Sequence, residues 1–314
     1  MKRKKIDAGQ TRNRRNMTAA AATAPTHTPN IADRAVLVNL SISQWSAAKS
    51  DKKVNREVAQ NHGSAEDMGN YRKQLVGKQA VKNYTQIATE IRAEFYRLTL
   101  PWSDTGERIL TSKAYFDFSA KFRKDQMRLE QAWDEFCAIY PQLVTEARTL
   151  LNGLFDSQDY PDAHQIRGKF SIKLDVKPVP QAADFRVNLG DDEVNRLRAQ
   201  ITADAQQATR RAMRDVWDRM REVIEKISER CKLYDPDNAK AHPLHDTTVT
   251  NISDLLEIIP ALNLTGDADV EAFAQQMRDL TKYTPEQLKH TEYAREDTAK
   301  RADEILAKMS AFIA

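Results

Sequence analysis

The feature that most constrains this chain is a single long amphipathic run. From "LGDDEV" onward the apolar residues Met213, Trp217, Met220, Ile224, Ile227, Cys231 and Tyr234 recur in alternating steps of four and three. That spacing keeps one narrow stripe on one side of a helix and is the pattern of a coiled-coil seam. Asp191 stands where a helix cap is needed, with Asp192 and Glu193 in the first turn beside the positive end of the helix dipole. The run predicts a helix over 191–234, roughly 65 Å long. Its first half carries the slimmer row Val194, Leu197, Ile201, Ala205 and Ala208, along which a neighbour can approach closely.

The same period governs other segments. Val81, Tyr84, Ala88, Ile91, Phe95 and Leu98 form a seam that Pro101 stops; Tyr115, Phe118, Phe122, Leu129, Trp133 and Phe136 mark a second helix that Pro141 breaks or kinks. Together they predict a helical hairpin over 78–165. Helices over 248–314 follow, the last starting with Pro285 at its first position and carrying Ala302, Ile305, Met309 and Phe312.

Strand period appears in "RAVLVNLSIS", "KFSIKLDV" and "DFRVNL". These predict a strand plus a short helix over 34–77, a β hairpin over 166–190, and a small sheet of two or three strands. The fold class expected is mainly α, with long antiparallel coiled-coil helices and this small β element. Helices of such length far exceed the 11 or 12 residues typical of globular domains, so their stripes must meet other stripes within or between chains.

Composition narrows function. Charged residues make up 30% of the chain and glycine only 9 positions, which leaves little material for phosphate loops or catalytic turns. No nucleophile elbow, paired-histidine zinc helix, phosphate loop or dinucleotide fingerprint occurs, so neither catalytic residues nor a cofactor is expected. His242, His245 and Asp246 have ligand-like spacing, yet they share a proline-containing loop without a cysteine pair, and no metal is expected there. Cys137 and Cys231 form no motif, which fits a reducing compartment. No run approaches the ~20 apolar residues of a membrane span, and a cytoplasmic location in a bacterial host cell is expected.

Charge is unevenly placed. Lys2, Arg3, Lys4, Lys5, Arg12, Arg14 and Arg15 face only Asp7 at the start of a chain whose overall charge is +3, so the remainder is mildly acidic. Residues 1–33 hold too few large apolar groups to offset the entropy of ordering and are expected to form a disordered basic arm. Such an arm binds polyanions by counterion release, which makes DNA a candidate partner. The arginines of "ATRRAMRDVWDRMRE" instead alternate with acids and read as a solvated, ion-paired face.

"LPWSDTGERIL" reads as a corner between two helices, with "ERIL" opening the second. Trp102 and Arg108 are its candidate partner contacts, and Trp45 is a third.

Several phrases, "VLVNLSISQWSAAKSDKKVNREVAQNHG", "LTLPWSDTGERILTSKAYFDF", "DFRVNLGDDEVNRLRAQITAD" and "TNISDLLEIIPALNLTGDADVEAF", resemble a family from bacteriophages and integrative mobile elements that is catalogued only as a domain of unknown function. The likeness runs from about Ala35 to the C-terminus. It implies an accessory protein encoded near a MoxR-like AAA+ ATPase and a von Willebrand A-type protein. No catalytic residue is carried over by it. The combined expectation is a non-enzymatic assembly or adaptor protein, self-associating or docking a phage or mobile-element partner such as an AAA+ ATPase. The alternative is a DNA-binding accessory factor that uses the basic arm.

Overall fold

The computed structural model describes residues 31–187 and 189–313, and the chain is mainly helical. The basic arm expected over residues 1–33 therefore lies almost wholly outside the described residues, and all seven of its basic side chains do.

A short helix α1 (Ile31–Arg34) leads into strand β1 (Ala35–Ser43). Strand β2 (Ala48–Ser50), helix α2 (Lys52–His62) and strand β3 (Arg72–Gln74) form a side unit in which β2 and β3 pair. Helix α3 (Lys78–Leu98) then passes through strands β4 (Leu100–Pro101) and β5 (Arg108–Thr111) into helix α4 (Ser112–Leu151). Strand β6 (Ser171–Pro178) precedes the 43-residue helix α5 (Asp191–Leu233). Helices α6 (Thr247–Leu262), α7 (Ala268–Arg278), α8 (Pro285–His290) and α9 (Glu292–Ile313) complete the chain.

Among the described residues three clusters of buried side chains make up the core, the smallest being Val38, Phe95, Leu110 and Phe118 between the main sheet and helices α3 and α4. Around α5, Met220, Ile224 and Ile227 are fully buried against Ile252 and Ile259 of α6, Met277 of α7 and Ala302 and Met309 of α9. Met213 and Trp217, at 9% and 8% exposure, belong to the same core, and Trp217 stacks on Phe312 at 5.9 Å. The whole second half of the row is thus covered by helices of its own chain. Each such side chain contributes about 1.5–3 kcal/mol by leaving water.

The second core lies between α3 and α4. Tyr84, Ile87 and Ile91 meet Leu129, Trp133 and Phe136, with Phe170 closing one end. Of the two outcomes expected at Pro141, a break does not occur, and α4 continues through it to Leu151. Tyr140 (1% exposed) and Ala147 (3%) hold the helix on both sides of it, and their packing outweighs the ~3 kcal/mol that an interior proline costs.

The β structure is larger than expected. One antiparallel sheet has the order β4-β5-β1-β6, and β2-β3 form a separate ribbon. β1 and β6 pair with Val38 opposite Val176, Leu40 opposite Leu174 and Ile42 opposite Ile172. The hairpin expected over 166–190 does not form. β6 pairs with β1, and of "DFRVNL" Asp184 ends a 3-10 turn while the other described residues join no strand. β6 gives one edge to the distant β1 and not to the segment that follows it in sequence; its outer edge carries no strand among the described residues, and Val187 and Leu189 remain exposed.

The corner at 100–110 is also corrected. Leu100 pairs with Ile109 and Pro101 with Arg108, making a hairpin of the stretch expected to open a helix. Ile109 and Leu110 are both buried, one on each face of the sheet, a demand that only a strand satisfies. Pro101 is tolerated because β4 is an edge strand. The last helix, expected to be continuous from Pro285, is interrupted at Thr291, where Arg295 Nη1 donates to the Leu288 and Lys289 carbonyls and takes up the end of α8.

Candidate interaction surface

The β4-β5 hairpin binds inward. Arg108 Nε donates to Thr99 Oγ1 at 2.6 Å and its Nη2 to the Thr99 carbonyl at 2.7 Å, while its guanidinium lies 4.9 Å from the Tyr96 ring centre. From α5, Arg219 Nη1 donates to the Arg97 carbonyl at 2.8 Å and Nη2 to the Tyr96 and Thr99 carbonyls at 3.0 and 2.9 Å. Arg219 therefore takes up the Tyr96 and Arg97 carbonyls at the end of α3, which have no partner inside the helix, and both arginines hold its capping residue Thr99. Arg108, singled out as a tip contact, serves this cap. Trp102 is 7% exposed and joins the α5 core. Trp45 is half-buried among aromatic rings, 5.5 Å from Tyr140 and 6.0 Å from Phe136. The true tip is Ser103 to Gly106, where Gly106 has φ 93 and Ser103 and Thr105 share a 2.8 Å hydrogen bond.

Among the described residues a different surface is only partly covered, by the 3-10 turn at Ala182–Asp184. In the first turns of α5, Val194, Leu197, Ile201 and Ala205 are only half-buried, and no residue before Ala208 is fully so. Just upstream, Val187 and Leu189 are 56% and 43% exposed. Beside this row lies an open groove of about 350 Å³ lined by Trp102, Val179, Ala182, Ile201, Ala205 and Thr209. Apolar side chains thus adjoin, on one face, a mainly apolar hollow whose wall also carries Gln181, Thr202 and Gln206. Flanking charges are Asp191, Glu193, Arg196 and Arg198; Glu193 and Arg196 pair along the helix, and Arg198 Nη2 donates to the Phe185 carbonyl at 3.3 Å.

Sequence reasoning missed one polar cluster. Lys73, 6% exposed, reaches Asp159 Oδ2 at 2.7 Å, Asp51 Oδ2 at 3.2 Å and the Leu154 carbonyl at 2.8 Å; Lys49 adds a second ion pair to Asp159. Burial opposes charge on Asp159, but hydrogen bonds from Lys49 and Lys73 outweigh it and hold the carboxyl below its ordinary range. Burial likewise opposes charge on Lys73, and its two carboxylate partners raise it above the ordinary lysine value. Asp51 also accepts from the Lys53 and Val54 amides and caps α2, so the network staples the β2-β3 unit to the loop after α4. The partners are scattered at positions 51, 73 and 159, and no local signal announces them.

The remaining sequence candidates stay apart. Asp246 pairs with Lys289 at 2.6 Å, and Asp104 pairs with Arg211 at 2.9 Å. Among the described residues no three His, Cys, Asp or Glu side chains converge as a metal site, and no helix is long and apolar enough to cross a membrane. Cys231 is buried, and burial pushes its thiol up to about 11. No family model matches the chain, and neither curated proteins nor solved structures yield a match.

Proposed function

We propose that this chain is a non-enzymatic helical assembly or adaptor protein that docks a helical partner along the first turns of α5. The observation that carries the reading is the contrast within one helix. Met220, Ile224 and Ile227 are wholly covered by their own chain, whereas Val194, Leu197 and Ile201 continue on the same rod half-covered, with exposed Val187 and Leu189 beside them. A contiguous apolar face of this kind marks an interaction site more often than chance exposure does. The internal charges support the same reading, since buried Lys73 and half-buried Arg108 and Arg219 are each engaged in tying elements together. The likeness to phage and mobile-element accessory proteins supports a setting inside a bacterial host, where an AAA+ ATPase is one partner of the expected kind.

The experiment is site-specific photo-crosslinking of the full chain in extracts of the organism that encodes it. A benzophenone side chain at Leu197 is compared with one at Ala199, which is exposed on the opposite side of the helix. The expected result is an adduct from position 197 that maps to a helical segment, in clear excess over position 199. Equal yields from the two positions overturn the reading.

A further inference from the structure

Resting on that reading, we propose that the partner is a second copy of this chain, whose α5 packs antiparallel on the first, with the two-fold axis beside Val194 and Leu197. Three features of the face are self-complementary. First, in that register Val194 of one copy meets Leu197 of the other, and Ile201 lies over Gly190 of the other, a knob above a residue without a side chain. Second, Asp191 and Arg198 project from the same flank of the helix. An antiparallel two-fold pair brings like flanks together, so Arg198 of each copy reaches Asp191 of the other, and the contact is made twice. Third, Leu189 of one copy arrives level with Thr202 of the other, at the mouth of the groove lined by Trp102, Val179, Ile201 and Ala205. The two most exposed apolar side chains of this region, Val187 and Leu189, thereby meet a hollow of matching chemistry beside the helix.

The hairpin fixes where the pairing must stop. Ala208 and Ala212 are already buried in the chain's own core, so a partner helix has no access beyond about Ala205. A contact of some twelve residues per helix is short, and the pair is expected to be weak, in the micromolar range. Isologous contact of this kind closes on itself and stops at two chains.

The test is sedimentation velocity of the full chain over a concentration series, with variants. The expected result is a monomer–dimer equilibrium whose dissociation constant rises at least about tenfold in Leu197→Glu and in Leu189→Glu. Asp191→Arg and Arg198→Asp each weaken the pair several-fold, and the double exchange restores it. Under mild oxidation the Val194→Cys/Leu197→Cys variant forms a chain-to-chain disulfide. Circular dichroism melting of each variant separates lost pairing from lost fold. A monomer at every concentration overturns the proposal, as does a dimer indifferent to Leu197→Glu and Leu189→Glu. If the Leu197 photo-adduct contains another protein, or residues 1–30 of the same chain, this proposal falls; in the first case the docking reading stands.

Discussion

Arg219 Nη2 donates to the carbonyl oxygen of Thr99 at 2.9 Å, which joins the long helix α5 to the end of α3 and so one core to the other. Arg219→Met removes three hydrogen bonds to carbonyls and leaves Asp215 without its 2.7 Å ion pair. The expected cost is about 2–4 kcal/mol in urea unfolding, with Arg219→Lys recovering less than half because an ammonium cannot span three carbonyls in the guanidinium's plane.

The Arg97 guanidinium grips Glu94 at 2.8 and 2.9 Å and holds its carboxyl down to about 2 from an ordinary 4.5; burial opposes the shift and Lys121 adds to it. The folded-state value is depressed, so the stabilisation is complete above pH 4.5 and is lost as the pH falls through about 2. Wild type is expected to exceed Glu94→Gln by roughly 1–2 kcal/mol at neutral pH, after allowance for solvent around Arg97 and Lys121, and the gap narrows on acidification. Urea titrations from neutral pH downward check this; a gap that widens in acid sinks it.

Lys73→Met leaves Asp159, whose side chain is 4% exposed, facing one outer lysine in place of two cations. Breaking a buried pair on one side costs about 3–5 kcal/mol, whereas removing both charges in Lys73→Met/Asp159→Asn is expected to recover part of that. Chemical denaturation of the two variants gives the comparison.

Within α5, Met220→Ala opens a cavity in a fully covered site and is expected to cost about 2–5 kcal/mol. Leu197→Ala on the half-covered stretch is expected to cost under about 1 kcal/mol when measured in dilute solution. Similar losses at the two positions would show that the first turns are packed as firmly as the rest.

The basic arm has its own test. If it binds DNA, deleting residues 1–16 abolishes an affinity whose logarithm falls with log salt by about 0.9 per neutralised phosphate. Fluorescence anisotropy against a salt series reads this directly. Affinity that is absent, or unchanged by the deletion, removes the DNA reading.

The helices were legible where their evidence is local. Met213 to Cys231 announce α5 through spacing alone, and Pro285 marks the first position of α8. The hairpin at Leu100 and Ile109 was not legible, because Ile109 and Leu110 are buried by elements far away in sequence, and a four-residue apolar stretch suits either period. "DFRVNL" failed for the opposite reason. Its alternation is real, but β6 pairs with the distant β1 and not with its neighbour in sequence, a choice that no local pattern announces. The partly covered face was half legible: the slim row showed in sequence, while the groove requires Trp102 and Val179 to be brought beside it by the fold.

The ends of the main sheet bear on how large an assembly of this chain can grow. At one margin β4 is only two residues long and contains Pro101; at the other, β6 sets Lys173, Asp175 and Lys177 in alternation and finishes with Pro178. Proline withholds a ladder donor, and lysines at a margin repel an incoming ribbon. Accretion by backbone zippering, the usual route to fibrils, is thereby discouraged at both borders of this sheet.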